Sequence, residues 1–137
     1  MFRKILVPVD GSEHSEKALS LVEELASKFG SEVLVFHVRE KSVGRGGSWD
    51  VDLTEEDVNV ADEAAQRLTG KGVNAKSERQ SALYGQAAHT ISRAADDNSA
   101  DAIVMGSRGL SDWSGLLVGS VTHKVLHMAS CPVVVVR

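Results

Sequence analysis

Short apolar runs alternate with longer amphipathic stretches from one end of the chain to the other. Ile5-Leu6-Val7-Pro8-Val9 is apolar throughout and rich in β-branched residues, as a strand buried on both faces requires. Asp10-Gly11-Ser12 interrupts it. Ser12 suits an N-cap, and Glu13 and Glu16 put negative charge where the dipole of the following helix favours it. Ala18, Leu21, Val22, Leu25 and Phe29 recur at helical spacing as its inner face, and Gly30 suits its C-terminal cap. Val33 to Val38 reads as the second strand, and Arg39 to Asp52 as a mobile polar loop. Thr54 with Asp57 resembles a capping box opening a second helix, with Val58, Ala61, Ala65 and Leu68 on its core face and Gly70 and Gly72 at its end.

The second half continues the alternation. Asn74 to Gln80 is a weak, polar strand suited to a sheet edge. Gln86 to Ala95 is a helix with Ala87, Ala88, Ile91 and Ala95 facing inward. Ala102 to Met105 and Val133 to Val136 are the fourth and fifth strands, joined through a helix marked by Val118, Val121, Val125 and Met128. The resulting βαβαβαβαβ order predicts an α/β sandwich with helices on both faces of a parallel sheet. No repeat or composition shift marks a boundary, so residues 1–137 read as one domain.

Composition narrows the classes of function. The chain has 137 residues, 42% hydrophobic and 25% charged, the balance of a globular protein. The net charge of −4 is scattered, which argues against nucleic acid as the main partner but allows a small anion held by backbone N–H groups. The apolar run at the N-terminus is too short for a signal peptide or a membrane span. Cys131 is the only cysteine, so no intrachain disulfide can form. A cytoplasmic location is the resulting expectation.

Candidate chemistry lies where strands one and four end, because ligands of open parallel sheets bind beyond the carboxyl ends at the point where strand order reverses. The first strand ends in Pro8-Val9-Asp10-Gly11. After the fourth come Gly106-Ser107-Arg108-Gly109, nine further residues, and Gly119-Ser120-Val121-Thr122. Gly106 lets the chain leave the strand steeply, and Gly109 can take positive φ. Gly119 and Ser120 fall at the start of the fourth helix, where free N–H groups and the dipole make an anion site to which the Ser120 and Thr122 hydroxyls can add donors. No lysine is required, unlike in the G-x-x-x-x-G-K-[ST] loop. By themselves the glycines fit two turns and a helix cap equally well.

This Gly-x-x-Gly, nine residues, Gly-Ser pattern resembles the nucleotide-binding signature of the universal stress protein family. The likeness extends to Lys4 through Ser12, Asp101 through Gly109 and Cys131 through Val136. It implies an α/β three-layer sandwich of the adenine nucleotide alpha hydrolase-like kind, with an open five-stranded parallel sheet in the order 3-2-1-4-5. It also implies a homodimer paired through the last strand, Val133 to Val136, which would cover an all-valine edge otherwise open to aggregation. By the same resemblance, a purine lies near Pro8, Val9, Asp10 and Val38. Ribose and phosphates lie near Met105, Gly106, Arg108, Gly109, Gly119, Ser120, Val121 and Thr122. The implied ligand is ATP, with AMP and cyclic AMP as alternatives and Mg²⁺ as a companion of ATP. The implied role is a stress-response sensor or switch. A slow ATPase, or a dimeric interaction module with a vestigial or different-metabolite pocket, are the alternatives. Asp112 and Trp113 depart from the small or basic residues usual in the spacer, and an Asp there repels a triphosphate unless it faces solvent or helps to hold a metal.

Other residues carry two readings each. Asp10 can touch ribose or, through Mg²⁺, phosphate; it can also simply turn the chain into the first helix. Arg108 can pair with a phosphate or stand solvated. Trp113 can cap a ligand, meet a partner or fold onto its own domain. The Gly44–Gly47 segment reads as a plain connection, with a lid as the alternative. His123 and His127 share a helix face, but no third metal ligand accompanies them. Cys131 reads as a small buried hydrophobe. A phosphoacceptor receiver domain is set aside, because the third strand ends in Gln80-Ser81 where that fold needs an Asp.

Overall fold

The computed structural model describes residues 1–44, 47–48, 55–109 and 118–137. Five parallel strands form one sheet: β1 (Lys4–Pro8), β2 (Glu32–Lys41), β5 (Asn74–Leu83), β6 (Ala102–Gly106) and β7 (Val133–Val136). They lie in the order β5-β2-β1-β6-β7, the 3-2-1-4-5 arrangement expected. Short strands β3 (Val43–Gly44) and β4 (Gly47–Ser48) pair antiparallel as a separate ribbon. Helices α1 (Glu13–Phe29), α2 (Glu55–Gly70), α3 (Ala87–Asp97) and α4 (Ser120–Met128) provide the crossovers.

Alternate residues of the central strands feed two cores. Ile5, Val7, Val33 and Val35 meet α1 and α2 through Ala18, Leu19, Val22, Ala61, Ala65 and Leu68. Leu6, Leu34, Phe36, Ile103 and Met105 meet α3 and α4 through Ala88, Ile91, Ala95 and Val125. Strands with both faces covered in this way must be apolar throughout, which is why β1 and β6 show no alternation in sequence.

Helix α1 begins as its sequence dictates. Ser12 Oγ accepts from Ser15 N–H at 3.2 Å, and Gly30 closes the helix at φ 65°, its N–H donating to Ala26 O. The inner stripe is displaced from the expected one. Ser15, Ala18, Leu19, Val22 and Ala26 are buried, Leu21 and Leu25 only flank the core, and Phe29 is 57% exposed. The small side chains let the helix approach the sheet, and its last turn runs past the sheet, where Phe29 meets Phe2 with ring centroids 5.8 Å apart. On α4, likewise, Val125 and Thr122 are buried, and Met128 is exposed. Ala61, Ala65 and Leu68 of α2 are buried as expected; Thr54 and the side chains of Asp57 and Val58 lie outside the described residues.

Strand β2 continues beyond Val38 to Lys41, so the loop expected from Arg39 starts later. Strand β5 likewise continues to Leu83, and the two pair in register from Glu32↔Asn74 to Lys41↔Leu83. The polarity of β5 matches its place at the edge, where one face of the backbone meets solvent.

The register also explains where the sheet opens. β1 follows β2 as far as Pro8↔Phe36, and β6 follows β7 as far as Gly106↔Val136. Between β1 and β6, however, pairing covers only Ile5↔Ala102 and Leu6↔Ile103. Lys4 O accepts from Asp101 N–H on the β6 side, whereas Val9 N–H donates to Phe36 O on the β2 side. Strand alternation therefore turns the nitrogen of Pro8 toward β6, where proline has no hydrogen to donate. The ladder ends there, and the two strands part at the point where strand order reverses.

Candidate functional site

A cavity of about 450 Å³ occupies this opening, within the range of small-molecule sites. Pro8, Val9 and Asp10 line it from β1, and Met105, Gly106, Arg108 and Gly109 from β6 and the turn beyond. Val38 contributes from β2, and Val121 and Thr122 from the first turn of α4. Ten of the residues expected at a nucleotide site thus meet at one crevice. Gly119 and Ser120 are not in its wall. Asp112 and Trp113, most of the Gly-to-Gly spacer, and Arg45 and Gly46 of the segment read as a plain connection, with a lid as the alternative, lie outside the described residues.

Each end of the crevice has its own construction. On the β1 side, Asp10 Oδ1 accepts from Ser12 N–H at 2.9 Å, and Gly11 takes φ 79°. The turning role and the place in the wall therefore belong to the same residue. His37, buried on β2, donates from Nδ1 to Val9 O at 2.7 Å and ties the end of β1 to its neighbour.

On the β6 side, Ser107 is the hub. Its N–H donates to Val136 O at 2.7 Å, its carbonyl accepts from Gly119 N–H at 2.6 Å, and its hydroxyl lies 3.1 Å from His14 Nδ1. The Gly119 contact closes the base of the 108–118 segment and brings the two halves of the glycine pattern together. It also consumes one of the N–H groups expected to be free for an anion. Those of Ser120, Val121 and Thr122, in the first turn of α4, have no acceptor among the described residues.

The geometry changes one expected role and adds a constraint at another position. Thr122 is buried, and its hydroxyl donates to Gly106 O at 2.8 Å, so it fastens α4 to β6 rather than reaching toward a ligand. Gly106 carries a packing constraint that its place in the glycine pattern does not announce. It is the last residue of β6, and a Cβ there would lie 2.7 Å from the carbonyl carbon of His14. Glycine is required because α1 begins directly against it. His14 is thus part of the crevice's support.

The remaining wall comes from Ser15, Phe36, Glu40, Tyr84, Ala87 and Ile91. Sequence reasoning missed Glu40 and Tyr84 because it ended β2 and β5 too early. The alternation Phe36, Val38, Glu40 along one face of β2 was the signal that could have found the first. The cavity is apolar on the β2–α3 side and polar around Asp10, Arg108 and the start of α4, which suits a ligand with a flat ring at one end and an anion at the other. Among the described residues no group of three or more His, Cys, Asp or Glu side chains could hold a metal ion. His123 and His127 instead contact each other, with His127 Nδ1 donating to His123 O at 2.8 Å. No helix among the described residues is long and apolar enough to cross a membrane.

Comparison with known proteins matches the whole chain, residues 1–137, to the model of the universal stress protein family. Universal stress protein YxiE of Bacillus subtilis is 32% identical over 153 residues, with 100% of each chain covered. Among solved structures, the MJ0577 protein of Methanocaldococcus jannaschii superposes with a TM-score of 0.82 at 29% identity, covering 99% of this chain and 96% of that one. The universal stress protein of Archaeoglobus fulgidus in complex with dAMP superposes with a TM-score of 0.65 at 28% identity, covering 100% of both.

Proposed function

The chain belongs to the universal stress protein family, and on that premise we propose that it binds an adenine nucleotide, ATP foremost, in the crevice between β1 and β6. The observation that carries this reading is the joining, at the point where strand order reverses, of an apolar slot with the first turn of a helix. The base lies against Phe36, Val38 and Ile91, and the phosphates lie toward Arg108 and the N–H groups of Ser120, Val121 and Thr122. The slot's 450 Å³ is enough for a nucleoside with its nearer phosphates. The relative solved with dAMP supports an adenine base. Mg²⁺ accompanies ATP in this reading, with Asp10 the carboxylate on the β1 wall.

The protein acts in this reading as a dimeric cytoplasmic switch. Nucleotide occupancy biases the dimer or a partner surface, and a second copy pairs with the edge of β7. Switching requires that the nucleotide bind one conformation better than the other. Isothermal titration of the purified chain with ATP, AMP and cyclic AMP tests the proposal. Saturable heat with at least one of them is expected, and no heat with any overturns it.

A further inference from the structure

Tyr84 lines the mouth of the crevice, yet it is 80% exposed. The backbone that carries it is fixed. Tyr84 N–H donates to Lys41 O at 3.0 Å, and Gln86 N–H donates to Leu83 O at 2.9 Å. Between them Gly85, at φ 82°, donates its N–H to Glu40 Oε2 at 2.8 Å. Three consecutive amides are thus anchored, while the aromatic ring stands largely in water. A ring with two rotatable bonds on a fixed Cα gives up little entropy when it settles on a ligand.

Phe36, Val38 and Ile91 give the same cavity an apolar stretch of wall on the β2–α3 side. A planar base laid on that wall turns its other face to the mouth, where Tyr84 stands. Arg108 and the start of α4 belong to the other side of the crevice, so a contact at Tyr84 reads the base and not the phosphates. We propose that Tyr84 is a specificity-determining residue that stacks on the outer face of the bound base, with Glu40 as the positioning residue that holds its turn. This rests on the adenine-nucleotide reading of the crevice and adds to it the residue that closes the base from solvent.

Titration of the full chain with AMP and, separately, with inorganic tripolyphosphate tests the inference. Tyr84→Ser is expected to weaken AMP binding by roughly five- to a hundred-fold, the range of base–aromatic stacking, and to leave tripolyphosphate binding unchanged. Tyr84→Phe keeps the ring and should retain AMP affinity. Glu40→Gln preserves an acceptor for Gly85 N–H and should do the same, whereas Glu40→Ala should weaken AMP alone. Unchanged AMP affinity in Tyr84→Ser overturns the inference while leaving the nucleotide site standing. An equal loss for both ligands also overturns it, because the damage is then not confined to the base. Failure of the unaltered chain to bind any adenine nucleotide removes the underlying reading, and this inference with it.

Discussion

Gly106 and His14 lie so close that a Cβ on the glycine would fall 2.7 Å from the histidine's carbonyl carbon and 2.8 Å from its Cβ. The end of β6 and the first turn of α1 therefore touch without a side chain between them. This contact sets how near the two walls of the crevice stand. Gly106→Ala must push α1 away from the sheet, because the obstructing atoms include backbone. The expected cost is about 1–3 kcal/mol, the usual range for overpacking. Urea denaturation should show a lower midpoint with an unchanged slope, and nucleotide affinity should fall in parallel.

Thr122 makes the complementary contact on the far side of Gly106. Thr122→Val keeps the shape but removes the donor, leaving the buried carbonyl of Gly106 without its 2.8 Å partner. Thermal or urea melting should report a loss of about 1–3 kcal/mol. Thr122→Ser, which keeps the hydroxyl, should recover most of it. A Val variant as stable as the parent would show that the contact does not hold α4 in place.

The edge of β7 allows the proposed dimer pairing to be tested apart from folding. Pro132 O and Val136 O accept from Ile103 and Ser107 on the β6 side. By alternation, the amides of Val133 and Val135 face the open edge. Val135→Pro thus removes a donor that a second copy would use and spares the ladder to β6. Sedimentation equilibrium should find a folded monomer for this variant and a dimer for the parent. Equal association of both would rule out pairing through this edge.

Cys131 is half-buried, and burial pushes its thiol pKa up, with Asp96 and Asp101 adding to the rise and backbone hydrogen bonds opposing it. The folded chain therefore holds the proton more tightly than the unfolded chain. That contribution to stability is complete below the unfolded thiol's pKa and is lost as pH rises through the folded one. Iodoacetamide at about pH 8 should alkylate the native protein more slowly than the urea-unfolded chain, since the thiolate is the nucleophile. The gap should narrow as pH increases.

Much of this architecture could be read directly from residue order. Ile5 to Val9, Val33 to Phe36 and Ala102 to Met105 are apolar on both faces, as strands inside a parallel sheet are. Ser12 and Gly30 mark both ends of α1, because capping depends on a few neighbouring atoms. Pro8 carries its consequence in its own chemistry: wherever its nitrogen points, a ladder loses a donor. The glycine pattern likewise located one part of the crevice wall: Gly106, Arg108, Gly109, Val121 and Thr122.

What folding alone decided are the relations between segments distant in sequence. Nothing local to Gly106 says that His14 will fill the space beside it, and nothing local to Thr122 assigns its hydroxyl to Gly106 O. Phe29 fits the helical period of the core, but the sheet ends before it. Glu40 and Tyr84 join the site because β2 and β5 keep pairing past their apolar stretches, and polar residues at a strand end do not announce their partner across the sheet. Periodicity reports which face of an element avoids water, whereas the walls of a crevice depend on how far strands run and what stands opposite. For this chain, the sequence determined that β1 and β6 would end in residues suited to a crevice, and tertiary packing decided which atoms face the cavity between them.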